Sequence, residues 1–192
     1  MARIRTAILI SGTGSNMEAL IRAAQSPDYP AEIALVISNR PDAPGLSKAQ
    51  ALGVTALSID HTSYTDRVGF EDAIHAALVK HGIQLVALAG FMRVLTAGFV
   101  GRWAGRMVNI HPSLLPRHKG LHTHRRVLEA GDAEHGATVH WVTSELDSGG
   151  IVAQKGFAVA PDDTENALRR KVQAVEHALY PDALAKACAT LL

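Results

Sequence analysis

Apolar residues along this chain alternate between two spacings, and the alternation predicts the elements. Ile4 to Ile10 is an unbroken apolar run that stops at Gly12, the pattern of a strand buried on both faces. Met17, Leu20, Ile21 and Ala24 then recur at helical spacing. Ser15 and Glu18 stand where a capping box would open that helix, and Pro27 and Pro30 lie past its end. A second strand is expected over Ile33 to Ile37, a short helix over Leu46 to Leu52 closed by Gly53, and a third strand over Val54 to Ile59. Phe70, Ile74, Ala77 and Leu78 stripe the next helix, with Gly82 after it. Leu85 to Ala89 reads as a fourth strand. A loop over Gly90 to Leu95 and a short helix through Phe99 and Trp103 lead to a strand ending at Ile110. Thr123 to Ala130 reads as a helix closed by Gly131. Strands follow over Thr138 to Thr143 and Ile151 to Val159. Leu168, Val172, Val175 and Leu179 stripe a long last helix, expected to break at Pro181.

Strands and helices at these intervals predict an α/β fold: a mainly parallel, twisted sheet with helices on both faces. No repeat, linker or low-complexity tract divides the chain, so 1–192 is expected to be one domain. The balance of 19 basic and 18 acidic residues gives a net charge of +1, which supplies no reason to invoke nucleic acid or an anionic membrane. The start, Met1 to Arg5, leads into too short an apolar run for a signal peptide, and no stretch is long enough to span a bilayer. Cys188 is the only cysteine, so no internal disulfide can form, and a reducing, cytoplasmic setting is expected.

Candidate chemistry concentrates between Asn109 and Asp147. In an extended chain Asn109 and His111 project to the same side, at the carboxyl end of a strand where open α/β sheets bind ligands. An amide and an imidazole aimed at one point can hold an oxygen that turns negative during acyl transfer, with Asp147 orienting or charging the imidazole. The same three residues also fit a polar strand end with a capping histidine. A second candidate is Ser11-Gly12-Thr13-Gly14-Ser15-Asn16, a glycine-rich turn between a buried strand and a helix start, where free N–H groups favour an anion. It is not a dinucleotide fingerprint, since Met17 replaces the third glycine and Ser38-Asn39 stands where an acidic residue is needed. Nor is it a nucleotide P-loop, since Ser15 replaces the lysine. A phosphate monoester and a ligand-free tight turn both remain open on the loop alone. His122 and His124, with His111 and His118 nearby, lack a third and fourth ligand pattern, so no metal is expected.

Taken together, these stretches resemble the folate-dependent phosphoribosylglycinamide formyltransferase family of purine synthesis. The matching pieces are the Ser11–Asn16 loop, Ala89-Gly90-Phe91-Met92-Arg93, and Asn109-Ile110-His111-Pro112-Ser113-Leu114-Leu115-Pro116. Gly120-Leu121-His122-Thr123-His124, Glu134-His135-Gly136, Glu145-Leu146-Asp147 with Gly149, and Glu176-His177 with Leu179-Tyr180-Pro181 follow in order. The resemblance implies a formyltransferase-type Rossmann-like fold and transfer of a formyl group from 10-formyltetrahydrofolate, a co-substrate, to glycinamide ribonucleotide. It implies Asn109, His111 and Asp147 as the catalytic set. It implies that Gly14, Ser15 and Asn16 bind the phosphate and that Glu176 meets the ribose. It further implies that Met92, Arg93, Val94 and Leu95 line the folate pocket, with Arg67 near that co-substrate.

Two departures from the family pattern stand out. Lys119 precedes Gly120 where many relatives carry proline, and the chain stops soon after its last helix. Three alternatives are set beside this reading. A formyltetrahydrofolate hydrolase is expected to carry an N-terminal regulatory domain, whereas this chain opens on the first strand. A methionyl-tRNA formyltransferase is expected to add a nucleic-acid-binding domain and a basic face. A binding module would hold nucleotide without turnover.

Overall fold

Most of the buried apolar runs become strands of one seven-stranded sheet. The computed structural model describes residues 3–192; Met1 and Ala2, which open the lead into the first strand, lie outside them. The strands are β1 (Ile4–Ile10), β2 (Ala31–Ser38), β3 (Ala56–Ser58), β4 (Leu85–Leu88), β5 (Met107–His111), β6 (Glu134–Trp141) and β7 (Ile151–Ala158). Their order is β3-β2-β1-β4-β5-β6-β7. The first five run parallel; β5–β6 and β6–β7 are antiparallel. The helices are α1 (Ser15–Ala23), α2 (Pro44–Ala51), α3 (Arg67–Lys80), α4 (Ala97–Arg102), α5 (Thr123–Ala130) and α6 (Glu165–Ala189).

Period-two alternation sends the strand side chains into two cores, one on each face of the sheet. Ile8, Ile10, Val36 and Val108 pack with Met17 and Leu20 of α1 and with Val172, Tyr180 and Leu184 of α6. Leu9, Leu35, Ile37 and Val86 pack with Phe70, Ile74 and Leu78 of α3 and with Phe99 of α4. Helices therefore cover both faces, as the alternation of elements predicts. The strand order reverses between β1 and β4, and the crevice at their carboxyl ends is where such sheets hold ligands.

Several local expectations need correction. Ser15 does not cap α1. It is the first helical residue, and Gly14 occupies the cap position at φ 71° with no side-chain cap. A capping serine needs extended backbone, whereas this turn needs a left-handed residue so that Gly14 can close against Gly45. Glu18, freed from any capping box, pairs with Arg22 at 2.7 Å. Pro181 does not interrupt α6, which runs through it. Leu179, Tyr180, Ala183 and Leu184 are buried on both sides of the proline, and their packing outweighs the ~3 kcal/mol that an interior proline costs. Strand β6 begins at Glu134, four residues earlier than expected, because Glu134 to Gly136 pair with β7 from Ala158 to Gly156. It ends at Trp141 instead of Thr143, and β3 is only three residues long.

Candidate active site

Strand β5 delivers Asn109 and His111 at its carboxyl end, and Pro112 follows immediately. Asn109 lies directly opposite His140 in the β5–β6 ladder, and His111 opposite Thr138. Asp147 enters from the loop joining β6 to β7, in a left-handed conformation at φ 49°. All three expected residues, with His140, line one cavity of about 620 Å³, a size suited to a small organic ligand.

The geometry is specific. His111 Nδ1 lies 3.4 Å from Asp147 Oδ2, with both side chains buried. His111 Nε2 lies 2.9 Å from the His118 carbonyl, which can only accept, so that nitrogen carries hydrogen. The ring thus donates from Nε2 and turns Nδ1 toward the Asp147 carboxylate. The same Asp147 Oδ2 accepts from Gly120 N–H at 2.9 Å. Lys119 donates to Ser148 and lies 3.5 Å from Glu145. These contacts hold the segment 118–120 against the loop that carries Asp147.

Met92, Arg93, Val94 and Leu95 all line this cavity, together with Phe91, Val100, Ile110 and Val142. Met92, Val94, Leu121 and Leu146 leave large apolar side chains exposed around it, which singly would be unremarkable but together mark a binding surface. Arg67 is not brought here. It is an exposed first residue of α3 and lines neither this cavity nor the next.

A second cavity, of about 380 Å³, opens at the switch point over the glycine loop. Gly14, Ser15 and Asn16 line it, with Arg40, His61 and Gly90. The first N–H groups of α1 have no partners within the helix, so this end favours an anion. Met92 and Arg93 line both cavities. Ser11 Oγ accepts from Met92 N–H at 2.7 Å and donates to Asn39 Oδ1 at 2.5 Å, tying the two loops together. Asn16 Nδ2 donates to Glu176 Oε2 at 2.9 Å. Burial pushes the Glu176 carboxyl above its ordinary value, and the Asn16 bond opposes that rise.

Sequence reasoning missed His140, Gln173, Arg40 and His61. Gln173 donates to Ser15 Oγ at 3.1 Å from one turn before Glu176, and that i, i+3 spacing was a readable signal. His140 alternates with Thr138 on the strand, a weaker signal. Arg40 and His61 come together only through β2 and β3. The neighbouring histidines form their own pairs: His118 with Asp132 at 2.6 Å and His124 with His135 at 2.9 Å. Among the described residues no cluster of three or more His, Cys, Asp or Glu is arranged to hold a metal ion.

A family model described as formyl transferase matches residues 4–184. The chain is 42% identical over 174 residues to the phosphoribosylglycinamide formyltransferase of Escherichia coli strain K12, a match spanning 91% of this chain and 82% of that protein. It is 44% identical over 182 residues to the trifunctional purine biosynthetic protein adenosine-3 of Gallus gallus; this takes in 95% of the chain but only 18% of that longer relative. A crystal structure of phosphoribosylglycinamide formyltransferase from Brucella melitensis superposes with a TM-score of 0.94 at 48% identity, covering 97% of this chain and 96% of that one.

Proposed function

The chain belongs to the formyl transferase family, and on that premise we propose that it moves the formyl group of 10-formyltetrahydrofolate to the primary amine of glycinamide ribonucleotide, a step of de novo purine synthesis. The observation that carries this reading is the convergence of the Asn109 amide, the His111 imidazole and the Asp147 carboxylate on one wall of the larger cavity. That cavity shares Met92 and Arg93 with the anion-favouring one beside it.

The residues have distinct tasks. The first turn of α1, with Ser15 and Asn16, holds the phosphate of the ribonucleotide, and Glu176 meets its ribose. Met92, Val94 and Leu95 supply apolar walls for the folate, and Arg93 stands between the two substrates. Apolar walls and a volume near 620 Å³ fit a flat heteroaromatic ring. The formyl oxygen gains negative charge as the amine nitrogen bonds to the formyl carbon; the Asn109 amide donates to it, and protonated His111 stabilises it through the positive charge of its ring. Asp147 stabilises the charged imidazole. It also helps carry the amine proton to the folate nitrogen as the bond from that nitrogen to the formyl carbon breaks. No protein nucleophile is needed. Arg67, exposed and outside both cavities, is given no role. The substrates are small molecules, and among the described residues no helix is long and apolar enough to cross a membrane. A cytoplasmic setting is supported by Cys188, a buried free thiol.

The test is an absorbance change on mixing the protein with the formylfolate and the ribonucleotide. The change should vanish when either is left out. Consumption of the formylfolate without the ribonucleotide would instead mark a hydrolase.

A further inference from the structure

Asn109 and His140 face each other across the antiparallel β5–β6 ladder, so their side chains share the face that lines the larger cavity. His140 is 2% exposed and engaged at both ring nitrogens. Nδ1 lies 3.0 Å from the Trp141 carbonyl, which only accepts, so Nδ1 carries hydrogen. Burial pushes the ring below its ordinary value, outweighing the Trp141 carbonyl and the Asp147 charge, which favour the proton. The ring is therefore neutral at pH 7, and Nε2 presents a lone pair. Asn109 Nδ2 lies 3.2 Å from that nitrogen and donates to it. Asp147 Oδ1 is farther, at 3.7 Å, beyond hydrogen-bond reach.

A side-chain amide has two orientations of nearly equal shape, and only one of them offers N–H to an oxyanion. We propose that His140 is a positioning residue for formyl transfer: its unprotonated Nε2 accepts one hydrogen of the Asn109 amide and so turns the other toward the developing oxyanion. This rests on the reading of Asn109 as an oxyanion donor. The arrangement is backed from behind. A Cβ on Gly149 would overlap the Trp141 carbonyl oxygen, so the group that fixes the His140 tautomer is itself packed against a glycine of the catalytic loop. The ladder to β7 also slips by one residue between Val139 and His140, a device found where a side chain is re-aimed beside a site.

Two measurements test the proposal. Nitrogen-resolved NMR of the parent protein should show His140 at neutral pH with hydrogen on Nδ1 and none on Nε2; a proton on Nε2 would overturn it. In kinetics, His140→Leu should lower kcat by ~10–100-fold, as expected when a catalytic group is misplaced, with both KM values within about twofold. His140→Gln, whose amide oxygen can accept from Asn109, should recover most of that loss. The double variant His140→Leu/Asn109→Ala should be no slower than Asn109→Ala alone, because each change removes the same oriented N–H. Multiplied losses in the double variant would sink the proposal. So would a slow Asn109→Ala beside a normal His140→Leu. Normal turnover in Asn109→Ala would instead bring down the functional reading beneath it. If His140→Leu fails to fold, the NMR tautomer and His140→Gln decide.

Discussion

Asn16 and Glu176, 160 positions apart, are joined by a 2.9 Å hydrogen bond from amide to carboxylate; Glu176 itself lines neither cavity and is tied to the glycine loop through Asn16. Burial raises the Glu176 pKa above 4.5. The folded state then holds a proton that the unfolded chain has already released. Stability contributed at this site falls as pH rises from about 4.5 through the raised value, and the charged carboxylate is a burden above it. Glu176→Gln keeps an acceptor for Asn16 and removes the charge. Its melting temperature should exceed the parent's at pH 7, with the gap closing in acid. KM for the ribonucleotide should rise by roughly tenfold, the loss of one charge-assisted hydrogen bond. An unchanged KM would remove Glu176 from the site.

Asn109→Ala should lower turnover by ~10²–10³-fold, the usual loss for one oxyanion donor. Its stability should drop by about 1 kcal/mol, since His140 Nε2 loses a partner. Steady-state kinetics beside urea unfolding separate the two effects.

Asp147→Asn should fold, because its amide oxygen can still accept from Gly120 N–H. It should bind both substrates with little change and turn them over at least ~10²-fold more slowly, having lost the charge that faces His111 and the acceptor for the migrating proton. Equilibrium binding measured beside single-turnover kinetics checks this. Weakened binding with normal chemistry would contradict it.

Ser15→Ala removes no helix cap, since Gly14 holds that position. Stability should therefore stay within ~0.5 kcal/mol of the parent, as for a surface change. KM for the ribonucleotide should rise while that for the folate holds. Equal rises in both would point away from a phosphate contact.

His135 is pushed down to about 4 by burial, with the charges of nearby histidines adding to the shift. Its folded value lies below the unfolded 6.5, so the neutral ring is favoured by folding. That contribution is complete above pH 6.5 and is lost as pH falls through about 4. Unfolding midpoints should decline over that interval, and His135→Phe should flatten the decline.

Much of this protein is readable from local pattern. The apolar runs at Ile4–Ile10 and Leu85–Leu88 and the stripe through Phe70, Ile74 and Leu78 commit to elements because burial on two faces or one leaves a period in the sequence. Asn109 and His111 were legible as a pair because the period of a strand is two, and Gly14-Ser15-Asn16 as a tight turn into a helix because glycines there separate a buried strand from a helical stripe. What escaped was whatever depends on elements distant in the chain. Ser15 reads as a cap until Gly45, brought in by α2, shows why Gly14 must take that position in a left-handed turn. Pro181 reads as a break until burial on both sides of it holds α6 together. His140 carries only a weak signal, its alternation with Thr138 on the strand. Its tautomer is set by the carbonyl of Trp141 and its partner by the β5–β6 register, 31 residues from Asn109 in sequence. Local periodicity determined which segments would be strands and helices and placed the Asn109 and His111 side chains at a strand end. Only tertiary packing decided their tautomers, their charge partners and their common cavity, because those follow from long-range register and burial, which no window of sequence contains.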